Sequence, residues 1–360
     1  MASVAHPFEG RRLPVAILGA TGMVGQTFVR LLADHPWFTV TTVAASERSA
    51  GKSYADATRW LEGEMPAAVR DLVVQHCDPD RITESVVFSA LDSGPAQDLE
   101  AAFAQRGAIV LSNARSHRMA RDVPLLIPEI NASHLALIDV QRRERGWAGA
   151  IVTNANCATI VLAMALAPLH AAFGARRLFV ATMQAISGAG YPGVSALDIL
   201  GNVVPYIGDE EPKLESEGQK ILGSMAGDRV SAAPFVISAH TNRVPVEHGH
   251  TICMSIEFDT PVSPEAALDV LRNWRGDAAA QGLPSSPPAP LVVHTALDRP
   301  QPRRDVHRDG GMSVHVGRVR SDPQFHLRLV AMGHNVSRGA AGASIQNAEL
   351  LAARGVIVAP

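Results

Sequence analysis

The side chain with the clearest chemical potential is Cys157, set in the stretch NANCATIV at residues 154–161. A free cysteine often packs as a small hydrophobe, but here two asparagines precede it and a long apolar run follows. Asn154 or Asn156 is a good N-cap, which places Cys157 in the first turn of a helix. Unpaired N–H groups and the positive end of the helix dipole favour a thiolate there. An ordinary thiol, of pKa ~8.5, is only a few per cent ionised at neutral pH. The setting therefore predicts a dipole-activated nucleophile. Cys77, in VVQHCDPD, and Cys253, in TICMSI, lack such a setting and are expected to be structural.

A second chemical feature is GATGMVG, which places Gly19, Gly22 and Gly25 after the apolar residues Val15, Ile17 and Leu18. Val24, Phe28, Leu31 and Leu32 then recur at helical spacing, up to a stop near Pro36. Glycines in a strand–turn–helix context allow a tight turn and close approach of pyrophosphate to a helix N-terminus. Gly19, Thr21, Gly22, Met23 and Val24 are the expected dinucleotide contacts. The next β-rich run, FTVTTVAAS, leads into ERSAGK, where Ser46, Arg48 and Ser49 suit a ribose 2′-phosphate. Glu47 is the one feature favouring NAD; NADP is the expected cofactor.

These groups need a frame. SVVFSAL and GAIVLSNA read as further buried strands, with helix-like stretches such as Ala96–Arg106 between them. Alternating strands and helices predict a parallel, doubly wound sheet. Beyond about residue 155 the texture changes to longer, alternating runs: RRLFVATMQAIS, TICMSIEFD, GMSVHVGRVR and FHLRLVAMG. Among them SPEAALDVLRNW reads as a helix capped by Ser263, with Pro264 at its first position and Glu265 in its first turn. Such a pattern predicts an α+β region whose sheet is covered by helices on one face and by a partner subunit on the other. The closing AAGASIQNAELLAAR reads as a helix with Ile345, Ala348, Leu351 and Ala352 on one face.

Composition narrows the function classes. A net charge of −3 with both signs scattered offers no electrostatic footprint for nucleic acid or an anionic membrane. Ala158–Phe173 is too short for a membrane span, and Pro168 and His170 interrupt it. MASVAHPFEGRR has no apolar core of a signal peptide. Three widely spaced cysteines without CxxC fit a reducing cytoplasm, which is the expected location. His240, His248 and His250 lack a ligand spacing such as HExxH, and no resident metal is expected.

Taken together, GATGMVGQ, SERSAGK, SNARSHRM, TNANCAT, MQAISGAGYPG, GDEEPKLESEGQKIL, NRVPVEHGH and HNVSRGAAGASIQNAELL give the chain its family likeness. It resembles the aspartate-semialdehyde dehydrogenases, in the branch typical of archaea and fungi, nearly end to end. The resemblance implies that Cys157 attacks the aldehyde, that a thioester forms, and that phosphate releases the acyl phosphate. In the biosynthetic direction L-aspartyl 4-phosphate and NADPH are consumed. His250 matches the general acid/base, with an ordinary pKa near 6.5 suited to neutral pH. Gln184 matches the glutamine that orients the reacting group. Arg243 matches the residue that grips the substrate α-carboxylate. Glu210 matches the carboxylate for the substrate ammonium, with Glu211 as its alternative. Lys213 and Arg118 match the cations for the phosphoryl group, and Asn156 is placed with the substrate contacts. Ser187, Gly188, Gly190 and Asn335 resemble nicotinamide-side contacts.

The implied architecture is α/β: a Rossmann-type domain over residues 1–155, completed by a C-terminal helix within 335–360, and an α+β catalytic and dimerisation domain with a mixed sheet over 156–334. A homodimer or homotetramer is implied by the family. Ala158 stands where Ser or Thr commonly follows the cysteine, and His240–Thr241 where many relatives carry a cysteine before the Asn-Arg pair. Competing expectations are a malonyl-CoA reductase-like thioester reductase, an N-acetylglutamyl-phosphate reductase, and a silent NADP-binding paralogue. The first two have substrates without a free ammonium for Glu210.

Overall fold

In the computed structural model, which describes residues 4–359, the short apolar runs of the first half become strands buried on both faces. The outermost residues of the expected terminal segments, 1–3 and 360, lie outside the described residues. β1 (Leu13–Leu18), β2 (Phe38–Ala45), β3 (Gln75–His76), β4 (Val86–Ser89), β5 (Ile109–Ser112) and β6 (Ala150–Thr153) form one sheet in the order β3-β2-β1-β4-β5-β6. Every pairing in it is parallel. β4, β5 and β6 are buried at every residue, as continuous apolar strands between two helical layers must be. Helices α1 (Met23–Leu32), α2 (Ser93–Gln105) and α3 (Leu137–Arg145) belong to those layers. α2 begins at Ser93, earlier than the expected Ala96. Pro95 sits in its first turn, where the missing N–H has no intrahelical partner to lose.

After β6 the chain enters α4 (Cys157–Phe173), which is buried from Ala158 to Leu169, Pro168 included. A helix apolar on every side becomes the centre of a core, and α4 carries the second one. Around it stand β7 (Ala175–Gln184), helix α5 (Glu210–Ile221), a separate hairpin of β8 (Ser224–Ala226) and β9 (Arg229–Ser231), then β10 (Val236–Arg243) and β11 (His250–Phe258). Helix α6 (Pro264–Asn273), β12 (Leu291–Val293), β13 (Val314–Ser321) and β14 (Leu327–Gly333) complete the region. The second sheet runs β10-β7-β11-β14-β13-β12 and is mixed: β10 with β7 and β12 with β13 are parallel, the rest antiparallel. α6 starts as its sequence predicts, with Ser263 accepting the Ala266 N–H and Pro264 at its first position.

In the mixed sheet alternate residues part company. Ile252, Met254, Ile256 and Phe258 of β11 join the core under α4, while Thr251, Cys253, Ser255 and Glu257 turn to the opposite face. On that opposite face Phe179, Met183 and Val236 are 40%, 37% and 62% exposed.

The chain then returns to the first sheet. A wide π turn, Ser337–Ala341, leads into helix α7 (Gly342–Ala353), whose Ile345, Ala348, Leu350 and Leu351 pack with Phe28 and Val86. α7 differs from the one-faced helix expected, because it is buried all round from Gly342 to Ala352. Its polar residues are satisfied internally: Glu349 accepts from the Ser285 N–H and faces His35, and Gln346 bonds both Glu129 and Arg338. Among the described residues no helix is long and apolar enough to cross a membrane.

Candidate active site

Strand direction alone brings three candidate side chains together. Gln184 ends β7 and Arg243 ends the parallel β10, where the two are register partners. His250 begins the antiparallel β11, so it lies at the same end of the sheet and on the same covered face. The N-terminus of α4 and the loop after β5 meet them from the first sheet. The resulting cleft, of about 350 Å³, gathers Arg118, Asn156, Cys157, Gln184, Gly188, Glu210, Lys213 and Arg243. His250 is fully buried just beneath Gly188, where an added Cβ would come within 3.0 Å of the imidazole and 2.8 Å of Arg243.

The N-cap of α4 is Asn156: its Oδ1 accepts the N–H groups of Ala158 at 3.0 Å and Thr159 at 3.1 Å. Asn154 instead donates to the Gly339 and Ala340 carbonyls, which anchors the π turn over the nucleophile. Gly339 is required there, since a Cβ would sit 2.6 Å from that of Cys157. Cys157 Sγ lies 3.1 Å from His250 Nε2. On the far side of the ring the backbone N–H of Ala185 donates to Nδ1 at 3.1 Å. A neutral imidazole that accepts at Nδ1 carries its proton on Nε2, so His250 presents an N–H to the sulfur.

Both ordinary pKa expectations need correction. Burial, followed by the Glu210 carboxylate, pushes the Cys157 thiol up to about 12, against Arg118, Arg243 and the Ala158 N–H. Helix dipole and N-cap are present, but desolvation outweighs them, so the resting thiol is not ionised. Burial, with Arg243 and His334 adding positive charge, pulls His250 down to about 3. The pair is a neutral thiol beside a neutral imidazole.

Charges around the cleft are arranged in pairs. Glu210 accepts from Asn156 Nδ2 at 2.8 Å and from Lys213 at 3.0 Å. Glu211 faces away and accepts the Thr241 N–H of β10. Arg243 donates to the Ala185 carbonyl at 2.7 Å. Arg118 donates to Glu217 at 3.0 Å and to the Asn113 carbonyl at 2.7 Å. Glu217 also accepts the backbone N–H of Asn156 at 2.7 Å. Glu217 and Lys220 stand three residues apart in a charged stretch whose bland reading is an exposed helix face. Both are buried, and each bonds elsewhere. Their spacing from Glu210 and Lys213, at helical periods along α5, is the one signal that places all four on a common face.

The glycine turn lies at the carboxyl end of β1. Gly19 has a φ of +72° and no room for a Cβ, which would lie 2.5 Å from the Ala90 carbonyl oxygen. Around Gly22 only the Gly19 carbonyl lies near, at 3.4 Å, and no side chain caps α1 there. The free N–H groups of Met23 and Val24 and the open side of Gly22 and Thr21 fit a pyrophosphate. Ser46 and Arg48 are exposed just past β2, beside Ser49, and Arg48 has no carboxylate partner among the described residues. This cradle fits a phosphorylated dinucleotide. Ser187 and Asn335 meet from opposite sides: Asn335 Nδ2 donates to Ser187 Oγ at 2.8 Å, and Asn335 Oδ1 accepts the Gly249 N–H. Gly190 closes the same turn with a φ of +71°.

The histidines weighed as metal ligands are not gathered. His240 lies against Phe179 of the neighbouring strand with the rings tilted by 56°, while His248 bonds Ser187. His294, Asp305 and His315 do cluster, but Asp305 is bonded by Arg299 and His294 Nε2 bonds His315 Nδ1 at 3.0 Å. A cation there would have to displace the guanidinium.

Two family models match: "Semialdehyde dehydrogenase, NAD binding domain" over residues 14–138 and "Semialdehyde dehydrogenase, dimerisation domain" over 166–338. The chain is 48% identical over 341 residues to an aspartate-semialdehyde dehydrogenase of Archaeoglobus fulgidus, covering 94% of this chain and 98% of that one. It is 44% identical over 353 residues to that of Schizosaccharomyces pombe, covering 95% and 99%. Among solved structures it is similar to the Candida albicans aspartate-semialdehyde dehydrogenase with NADP, at a TM-score of 0.89 and 41% identity, covering 96% of this chain and 100% of that one.

Proposed function

Because the chain belongs to the aspartate-semialdehyde dehydrogenase family, we propose that its cleft converts L-aspartyl 4-phosphate to L-aspartate 4-semialdehyde through a thioester on Cys157. The chain is an NADP-dependent oxidoreductase acting on an aldehyde group. One observation carries the choice of substrate. The cleft holds a buried carboxylate, Glu210, beside the nucleophile. A free substrate ammonium needs such a partner, and malonyl or N-acetylglutamyl substrates offer none.

In this reading Arg243 holds the α-carboxylate, while Arg118 and Lys213 hold the phosphoryl group. Sγ attacks the acyl carbon, the C–O bond to phosphate breaks, and the thiol proton leaves with the phosphate as hydrogen phosphate, toward those cations. Bound NADPH supplies the hydride that reduces the thioester. His250 Nε2–H donates a hydrogen bond to the oxygen that gains charge and holds it until the C–S bond breaks and the aldehyde is released, after which the Cys157 thiolate regains a proton from water. Gln184 orients the reacting carbonyl. Glu210 gives the substrate a second task. Its charge raises the thiol pKa, so an ammonium seated on it favours the thiolate when substrate is present.

NADP is assigned to the cradle formed by Gly19, Thr21, Gly22, Met23 and Val24, with Ser46, Arg48 and Ser49 on the 2′-phosphate side and Ser187, Gly188, Gly190 and Asn335 on the nicotinamide side. Residues 1–155 with 335–360 serve the cofactor, and 156–334 serve catalysis and dimerisation. The exposed apolar face at Phe179, Met183 and Val236 supports a homodimer built on the mixed sheet, with a homotetramer as its doubled form. Three unpaired thiols support a reducing cytoplasm.

The test is NADPH formation from L-aspartate 4-semialdehyde with and without inorganic phosphate. Phosphate-dependent turnover that falls at least about 10⁴-fold in Cys157→Ala, with NADP binding retained, is the expected result. Turnover that ignores phosphate and requires a CoA acceptor would overturn the substrate assignment.

A further inference from the structure

Three carbonyl oxygens of one loop converge on a buried ammonium. Lys220 Nζ donates to the Arg118 carbonyl at 2.7 Å, to that of Ala120 at 2.8 Å and to that of Val123 at 2.8 Å. An ammonium has three N–H donors, so the set is saturated. The loop, residues 113–123, has neither helix nor strand. Its internal turns run from Arg118 N–H to Arg115 and from Ala120 N–H to His117; Ser116 and His117 tie its middle to α2, and Asp122 ties its far end to α3. Lys220 supplies the tie to α5, at the carbonyl of Arg118 itself, and Glu217 of the same helix takes the guanidinium of Arg118. α5 thus grips Arg118 twice, by backbone and by side chain. Glu217 also bonds the Asn156 N–H at the start of the nucleophile helix, so the grip and the nucleophile share one reference. A planar guanidinium cannot meet three converging oxygens as a rotatable ammonium does.

Building on the function proposed above, we propose that Lys220 is a positioning residue: by pinning the loop to α5 it sets Arg118 against Cys157 and thereby tunes the affinity of the cleft for phosphate. Its own titration makes the role visible. Burial pulls Lys220 down to about 8, opposed by Asp122 and Glu217. The groups that face it are Glu217 on α5, Asp122 and Arg118 on the loop, Arg145 of α3 through its bond to Asp122, and His134, which bonds the Gly223 carbonyl. Losing the proton removes a donor and the charge together. Phosphate affinity should therefore weaken above pH 8, where inorganic phosphate is already mostly the dianion.

The experiment measures the Kd of inorganic phosphate for the NADP-bound enzyme by calorimetry in wild type, Lys220→Met, Arg118→Ala and the double variant. The expected result is a Kd raised about tenfold in Lys220→Met, comparable to one disturbed charged hydrogen bond. The double variant should be no weaker than Arg118→Ala alone, because Lys220 acts through Arg118. An unchanged Kd in a folded, NADP-binding Lys220→Met, or effects that simply add, would overturn the role. Should Lys220→Met not fold, a pH series decides: a Kd that rises above pH 8 in wild type but stays flat in Arg118→Ala supports it, and equal slopes sink it. Wild-type turnover, assayed in parallel, reports on the functional assignment and is independent of this binding cycle.

Discussion

β5 and β6 end at the cleft in loops, and what they deliver is a turn of backbone and the start of α4. β7, β10 and β11 deliver side chains from their own terminal residues, Gln184, Arg243 and His250. The two sheets differ in burial in the same sense. β4 to β6 are closed on both faces, so only their ends are free for function. The mixed sheet spends one face on the core, leaves apolar side chains exposed on the other, and still has an end for chemistry. A sheet covered on both sides can serve a site only through the backbone at its ends; a sheet covered on one side has side chains to spend at its end and a face to spare.

The largest expected effect tests whether the two sheets are one unit. Arg338, in the π turn after β14, makes 2.9 and 2.7 Å bonds to Glu129, and both side chains are buried. Arg338→Met strands that carboxylate, and should cost about 3–5 kcal/mol in urea titrations. A single transition at lower urea is expected; splitting into two transitions would mean that the sheets unfold separately. A matched pair of substitutions addresses the faces directly. Phe88→Ala in β4 empties a fully buried site and should cost about 3–4 kcal/mol. Phe179→Ala, on the open face of β7, should cost under about 1 kcal/mol in the monomer while shifting sedimentation toward smaller species. Equal losses with no change in association would erase the contrast drawn here.

A third test concerns a carboxyl group buried in the closed platform. Glu100 of α2 accepts from Ser112 Oγ at 2.8 Å, while its second oxygen finds no partner among the described residues. Burial raises it from 4.5 to about 7, despite Ser89, Ser112 and Arg118. The native state therefore keeps a proton that the unfolded chain has released. Stability falls as pH rises from the ordinary glutamate range through 7. Glu100→Gln should be more stable than wild type by about 3 kcal/mol at pH 8 and nearly equal to it at pH 4.5, read from urea midpoints. The opposite pH trend would contradict the protonated state.

Much of this was legible in the chain. The glycines of GATGMVG, the cap at Ser263 and the Asn before Cys157 act within a few residues, where local geometry decides. What escaped was set at a distance. Glu217 and Lys220 look like a solvated pair because a charged helix face reads the same whether water or a loop covers it. Only the docking of residues 113–123 turns them inward. The apolar positions of α7 suggested one buried stripe, yet Glu349 and Gln346 are buried as well, each paired with residues far away in sequence. The thiol of Cys157 could be given its helix position but not its proton affinity, which is set first by burial and then by Glu210, Arg118 and Arg243 from three other elements.

Gln184, Arg243 and His250 owe their meeting to strand alignment alone. In a pleated sheet a slip of one residue sends each side chain to the opposite face, so one misaligned strand would move its catalytic group from the cleft to the outer face. The chemistry is in that sense a check digit for the sheet: a refolding chain recovers turnover only when three neighbouring strands have all counted correctly, and regained activity reports registration rather than mere compaction.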